Sequence, residues 1–266
     1  MSSTPGHPQT NNKAPVPTMR HCVIALMLLM WAHTAVSDDV PDTLTFNVST
    51  GGYPPFTIVH ENGTVSGIFW DTLVVISQRL DIRLDSIEIP PKRSDNLLRE
   101  GYSDVTMRAI EWTTTPDEFV FSDPVMMTRD AIFVHDESPH AIEDLSDLKG
   151  TLLTRLGFRY PWLTEHLDTG TVTTIPVQKQ RPLFKRLYHG GDRFAGAVSN
   201  AHAGYWVLKN HPSWDDHISE APIRLDEVAY RLMFPPRHAE LVPLINRELA
   251  RMRESGELAG IIESYQ

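Results

Sequence analysis

Residues 51–71 read GGYPPFTIVHENGTVSGIFWD. Gly51, Gly52, Pro54 and Pro55 make a stiffened loop that carries Tyr53 and Phe56. The loop follows residues 43–49, whose Leu/Phe/Val alternation predicts a strand. Residues 56–61 predict a second, short strand that ends at the Asn62-Gly63 turn. Residues 67–80 then predict a helix with Trp70, Leu73, Val74 and Ser77 on one face.

The same alternation continues downstream. Strands are expected at 84–89 and 104–110, separated by a short helix at 94–101 with Ser94 as its cap and Gly101 as its stop. A strand at 130–134 has the look of a crossover. A second cycle follows, with helices at 142–148, 161–167, 181–189 and 202–210 and strands at 151–156, 171–176 and 194–199. Residues 223–234 return in extended form. Two amphipathic helices close the chain, one through Leu241, Leu244, Ile245, Leu249 and Met252, the other through Leu258, Ile261, Ile262 and Tyr265. This β/α order predicts an α/β protein with mainly parallel sheets. Ligands of such sheets sit at the carboxyl ends of the strands.

Upstream, residues 22–32 form the apolar run CVIALMLLMWA. It is shorter than the roughly 20 residues that span a bilayer. Arg20 and His21 precede it, and Ala35-Val36-Ser37 offers small residues to a signal peptidase. We expect residues 1–37 to be an N-terminal extension and export signal, starting at Met19 and cut after Ser37. The single cysteine, Cys22, lies inside that segment, so the exported chain has no disulfide. Its position also argues against a lipid anchor. The expected product is soluble, periplasmic and monomeric.

The first 37 residues carry two of the 24 basic residues and none of the 34 acidic ones, so the remainder holds 22 against 34, a formal net of −12. That balance argues against nucleic acid or an anionic membrane surface as partner.

Six segments, in order, resemble the amino-acid-binding family of type II periplasmic solute-binding proteins (family 3). Tyr53-Pro54-Pro55-Phe56 resembles its first ligand loop, and Gly67 to Asp71 the start of its first helix. Phe121-Ser122-Asp123-Pro124 resembles the segment before its first crossover, and Asp147-Leu148-Lys149-Gly150 the opening of its second lobe. Residues 191–200 and 256–265 resemble a later strand and the closing helix. The resemblance implies two lobes, each a mainly parallel sheet flanked by helices, joined by two crossover strands with the ligand between. Lobe 1 is expected at 38–130 plus 230–266, lobe 2 at 131–229, and the hinges near 128–134 and 225–232. It also implies closure by hinge motion and delivery of a small polar ligand to the membrane permease of an ABC transporter or to a membrane sensor.

Two departures shape the expected ligand. Thr115 stands where the family's carboxylate-gripping arginine is usual, and Asn200 where its ammonium-holding aspartate is usual. A neutral amide does not replace a carboxylate opposite a buried ammonium without a large loss. Arg108, near the end of the strand at 104–110, is the first choice to replace the arginine, because its guanidinium offers a bidentate fork. Glu111 and Trp112 follow on the same wall. In lobe 2, Arg155, Gly157, Phe158, Arg159 and Tyr160 form a strand-to-helix loop before Pro161, with Arg155 or Arg159 expected in the cleft. Asn200 either reads the ligand or caps the following helix. Tyr53, Phe56 and Trp70 complete the expected set. The expected ligand is anionic or amino-acid-like, and two other readings stand beside it. One is a dehydratase-like enzyme on the same fold, with Glu111, Glu118 or Glu227 as acid; the other is a degenerate member that binds a protein. We expect no enzyme and no cofactor. His135, His140, His211 and His217 show no metal spacing, and no metal is expected.

Overall fold

The computed structural model of the chain describes residues 1–3, 6, 41–138 and 141–266. The expected start at Met19 and the cleavage site after Ser37 lie outside the described residues. Residues 39–266 cluster as one unit.

Strand β1 (Thr43–Ser49) buries Leu44, Phe46 and Val48, the alternate positions of its pattern. It pairs in parallel with β4 (Arg83–Ile89), from Thr43↔Arg83 to Ser49↔Ile89. Between them stand the small hairpin β2 (Ile58–Val59) and β3 (Val65–Ser66), and helix α1 (Ile68–Arg79). Asp71 in the first turn and Arg79 in the last complement the helix dipole. Gly67 precedes the helix at φ +115°, and a Cβ there would meet the Phe56 carbonyl oxygen at 2.7 Å, so this junction requires glycine. The helix buries Ile68, Phe69, Leu73 and Ile76, while Trp70 and Val74 are only half-buried.

A short helix, α2 (Ser94–Arg99), leads to β5 (Thr106–Ala109), which joins β1 through a parallel bridge, Phe46↔Val105. Ser94 does not cap this helix. A 3-10 turn at Pro91–Arg93 runs into it, and the Ser94 hydroxyl accepts a hydrogen bond from Asn47 instead.

After β6 (Val120–Phe121) come the strands that organise the molecule. β7 (Met126–His135) and β12 (Glu227–Phe234) pair antiparallel, from Glu227↔Arg129 to Tyr230↔Met126. β12 then runs on along β5, and β7 runs on along β10 (Gly196–Asn200). Each strand therefore passes from one sheet region to the other. Beyond β10 the order is parallel again, through β8 (Gly150–Arg155) to β9 (Val172–Val177). The sheets are mixed: parallel where helices connect strands, antiparallel along the two long strands.

One hydrophobic cluster joins β1, α1, β12 and the closing helices α7 (Val242–Glu254) and α8 (Glu257–Glu263). Tyr265 seals it by donating to Asp71 at 2.5 Å and accepting from the Gly67 N–H at 3.0 Å. Two further clusters lie on the other side of the long strands. One packs α4 (Gln180–Gly190) and α5 (Ala201–Lys209) on Phe133 and Leu153. The other gathers Leu152, Leu163, Val172 and Ile223 beside the short α3 (Thr164–Asp168).

Two local expectations change. Residues 142–148 form only a 3-10 turn at Leu145–Asp147, held by an Asp144–Asp147 capping box. The extended return is shorter than 223–234. Before it stand a one-turn helix, α6 (Pro212–Asp215), and the edge strand β11 (Ile218–Glu220), both too short for a periodicity signal.

Candidate functional site

A cavity of about 500 Å³ opens where β1 and β5 end. Asn47 and Ser49 of β1, Thr106 to Arg108 of β5, the turn and helix start at Pro91–Asn96, and Trp112 form one wall. Gly157, Phe158 and Arg159, after β8, form the facing wall. Tyr53 and Tyr230 close the inner end.

Polar groups of the first wall are tied together. Asn47 Nδ2 donates to Ser94 Oγ at 2.8 Å, and Thr106 Oγ1 donates to the Asn47 carbonyl at 3.2 Å. Arg108 pairs with Asp95 and donates to Ser94 at 3.3 Å, while its buried Nε has no protein partner. Lys92, Arg99 and Arg159 also line the cavity, and Asp95 is its only carboxylate among the described residues. Asp95 answers Arg108 and Glu118 answers Arg99, which leaves Lys92 and Arg159 without an ion pair among the described residues, so the cavity favours an anion.

The walls touch. Arg159 donates to Thr114 across the opening. Gly157 sits at φ +85°, and a Cβ there would come within 3.0 Å of Lys92 Cγ and 3.3 Å of Pro91 Cβ. The Phe158 ring meets the Tyr53 ring edge-on at 5.0 Å between centroids. Tyr230 packs edge-on against Trp112 at 5.3 Å.

Behind these rings lies a buried polar layer. Arg155 is 3% exposed, with its guanidinium 5.3 Å from the Tyr53 centroid and 5.1 Å from that of Phe158. Burial lowers its pKa, and its Nε also has no protein partner. Asp130, on β7, accepts from Trp162 Nε1 at 3.0 Å. Burial pushes its carboxyl up to about 7. Burial likewise raises the Tyr53, Tyr160 and Tyr230 hydroxyls, and the Asp130 charge adds to each.

Six residues expected from sequence meet at the cavity: Tyr53, Arg108, Trp112, Gly157, Phe158 and Arg159. The other six do not line it. Phe56 is fully buried against Tyr53, Phe69 and Tyr230. Trp70 packs on Phe46 at 6.3 Å, on the core side of α1. Glu111 is exposed on a 3-10 turn and is not among the lining residues. Arg155 and Tyr160 lie behind the loop, where the Tyr160 hydroxyl accepts from the Arg155 N–H at 3.1 Å. Asn200 is 2% exposed; it caps α5 through the His202 N–H and donates to Thr128 Oγ1 at 2.6 Å.

Sequence reasoning passed over Asn47, Ser49, Asp95 and Tyr230. The first two end a predicted strand, which was a usable signal. Asp95 and Tyr230 reach the cavity only through tertiary pairing. Asp130 is the directly opposed partner of Asn200 in the β7–β10 register. A buried acid therefore exists beside the position where the resemblance expects one, but on the neighbouring strand.

Residues 47–266 match the model of the bacterial extracellular solute-binding proteins, family 3. The chain belongs to that family. No curated protein matches this family member in sequence. Solved structures share its fold. An ancestral arginine-binding protein bound to arginine is 22% identical, with TM-score 0.72, covering 84% of this chain and 98% of that one. A histidine kinase sensor domain with similarity to periplasmic binding proteins is 20% identical, with TM-score 0.71, covering 85% and 96%. An ancestral amino acid-binding protein, a precursor of cyclohexadienyl dehydratase, is 17% identical, with TM-score 0.70, covering 84% and 95%. The fold is thus the two-lobed type II periplasmic binding fold. At these identities the likeness is one of fold, not of ligand.

Proposed function

We propose that this family 3 protein captures a small polar solute, anionic or amino-acid-like, in the cavity between β1, β5 and the 157–159 loop. It then presents that solute to an ABC importer or a membrane sensor. One observation carries the reading: four cationic side chains, Lys92, Arg99, Arg108 and Arg159, line the cavity with Asp95 as the lone acid among the described residues. Arg108 is the residue best suited to grip a carboxylate, since Asp95 fixes its guanidinium while Nε stays unused. Tyr53, Trp112 and Phe158 supply the apolar surface around that charge. Cavity residues come from both sides of the long strands, so binding favours the apposed arrangement of the two walls.

Binding rather than catalysis fits the position of the acids. Glu111, Glu118 and Glu227 are exposed and do not line the cavity, and Glu118 is engaged by Arg99. A thermal-shift screen of amino acids, small carboxylates, peptides, polyamines and sugars tests the proposal. Stabilisation by acids or amino acids supports it, amounting to about 2.7 kcal/mol at a hundredfold excess over Kd. A response confined to polyamines or neutral sugars contradicts it.

A further inference from the structure

His135, Asp136 and His217 form a cluster that shares no residue with the cavity. Asp136 and His217 are 81 positions apart in sequence, and nothing in the spacing of the histidines announces them. The β7–β11 pairing makes the cluster. Its register sets Ile218 against His135, and the Asp136 N–H donates to the His217 carbonyl at 2.9 Å. The two imidazoles consequently stack, 5.8 Å apart with 6° between planes.

The ligating atoms converge on one carboxylate. His135 Nδ1 lies 2.9 Å from Asp136 Oδ1, and His217 Nδ1 lies 2.8 Å from Asp136 Oδ2. One ligand atom from each of the three residues falls within a 4.8 Å span. Glu137 Oε2 stands 3.9 Å from His135 Nδ1 as a fourth donor. Metal–ligand bonds of about 2.0–2.2 Å in a tetrahedral site put neighbouring donors about 3.4 Å apart. The separations within His135, Asp136 and His217 run from 2.8 Å to no more than 4.8 Å and so span that value, while Glu137, outside that group, would have to swing in.

The ring atom that faces the carboxylate is His135 Nδ1. It also accepts the Glu137 N–H at 3.1 Å, so a metal bound at Nδ1 takes over that lone pair and displaces the backbone hydrogen bond. His135 is 7% exposed, held between β11 and Tyr188, so one ligand is fixed while His217 and Asp136 remain open to solvent.

We propose that His135, Asp136 and His217, with Glu137 as fourth ligand, bind a divalent transition-metal ion of the Zn²⁺ class. Two imidazoles and two carboxylates match the preferences of Zn²⁺ better than those of Ca²⁺ or Mg²⁺, which take oxygen ligands. The site would clamp the end of β7 to β11, independent of the solute in the cavity.

The test is isothermal titration of untagged full-length protein, stripped with a chelator, with ZnCl₂ at pH 7.5. Histidines elsewhere in the chain contribute equally to every variant, so the readout is the difference between proteins. The expected result is a Zn²⁺ equivalent in the wild type that weakens by more than about 100-fold in His217→Ala and in Asp136→Asn. It persists in His166→Ala, a control at a half-buried histidine outside the cluster. Circular dichroism of each variant checks that the fold is kept. Equal Zn²⁺ uptake by the wild type and His217→Ala overturns the proposal, as does loss of the equivalent in His166→Ala. A preference for Ca²⁺ over Zn²⁺ overturns the assignment of metal class.

Discussion

The guanidinium of Arg155 lies over the Tyr53 ring, 5.3 Å from its centroid. Arg155 ends β8, and Tyr53 belongs to the loop after β1, so the contact ties the strand behind the 157–159 loop to the cavity-lining Tyr53. A desolvated cation over an aromatic face contributes about 2 kcal/mol. We predict a coupling of about 1–2 kcal/mol between Tyr53→Leu and Arg155→Met in a double-mutant cycle by urea unfolding. Tyr53→Phe keeps the ring face and should retain most of the coupling. Additive single effects would show that the stacking carries no energy of its own.

Arg108 and Arg159 approach the cavity from opposite walls. If each hydrogen-bonds an anionic group, its loss costs about 1.5–3 kcal/mol, or roughly 10- to 150-fold in Kd. Arg108→Met and Arg159→Gln should each weaken the solute found by the screen in that range, measured by calorimetry. Unchanged affinity in Arg108→Met would remove that residue from the site. Arg108→Met also leaves Asp95 without its cation, so a companion Asp95→Asn/Arg108→Met variant separates ligand loss from a stranded charge.

Asp130 makes stability pH-dependent. Burial raises its pKa from 3.8 to about 7, so the folded protein holds this proton more tightly than the unfolded chain does. The stability it contributes is complete below the unfolded value and lost as pH rises through about 7. The slope approaches about 1.4 kcal/mol per pH unit inside that window. Asp130→Asn keeps an acceptor for Trp162 and removes the titration. Relative to the variant, the wild type should lose urea stability between pH 4 and pH 7. Parallel stability curves would place the proton elsewhere.

Gly157 lets the 157–159 loop approach Pro91 and Lys92. Alanine there meets Lys92 Cγ at 3.0 Å and Pro91 Cβ at 3.3 Å, at a φ of +85° that disfavours any side chain. Gly157→Ala should therefore weaken solute binding more than its roughly 1 kcal/mol of backbone strain lowers stability. Small-angle scattering with saturating solute should show a larger radius of gyration than the wild type. An unchanged Kd would mean that the walls need not meet this closely.

Asn200→Ala tests a capping role. The side chain accepts the His202 N–H at 3.0 Å and donates to Thr128, both within the protein. The expected cost is about 1 kcal/mol of stability, read by thermal unfolding, with Kd unaltered. A large loss of affinity would return Asn200 to the ligand.

The sequence by itself determined the order of strands and helices, because each is written in local periodicity. Leu44, Phe46 and Val48 alternate at period two, and Ile245, Leu249 and Met252 recur at the helical period. It also determined that Tyr53, Arg108 and the 157–159 loop would stand at strand ends, where an α/β sheet places its ligand. Only the tertiary structure decided which side chains converge. The β7–β10 register put Asp130 opposite Asn200, and β11 brought His217 to Asp136. Arg155 and Tyr160 turned behind their loop, and Asn200 spent its hydrogen bonds on α5 and Thr128. Strand register and the direction of a side chain at a strand end depend on partners far away in the chain, and no local pattern encodes them.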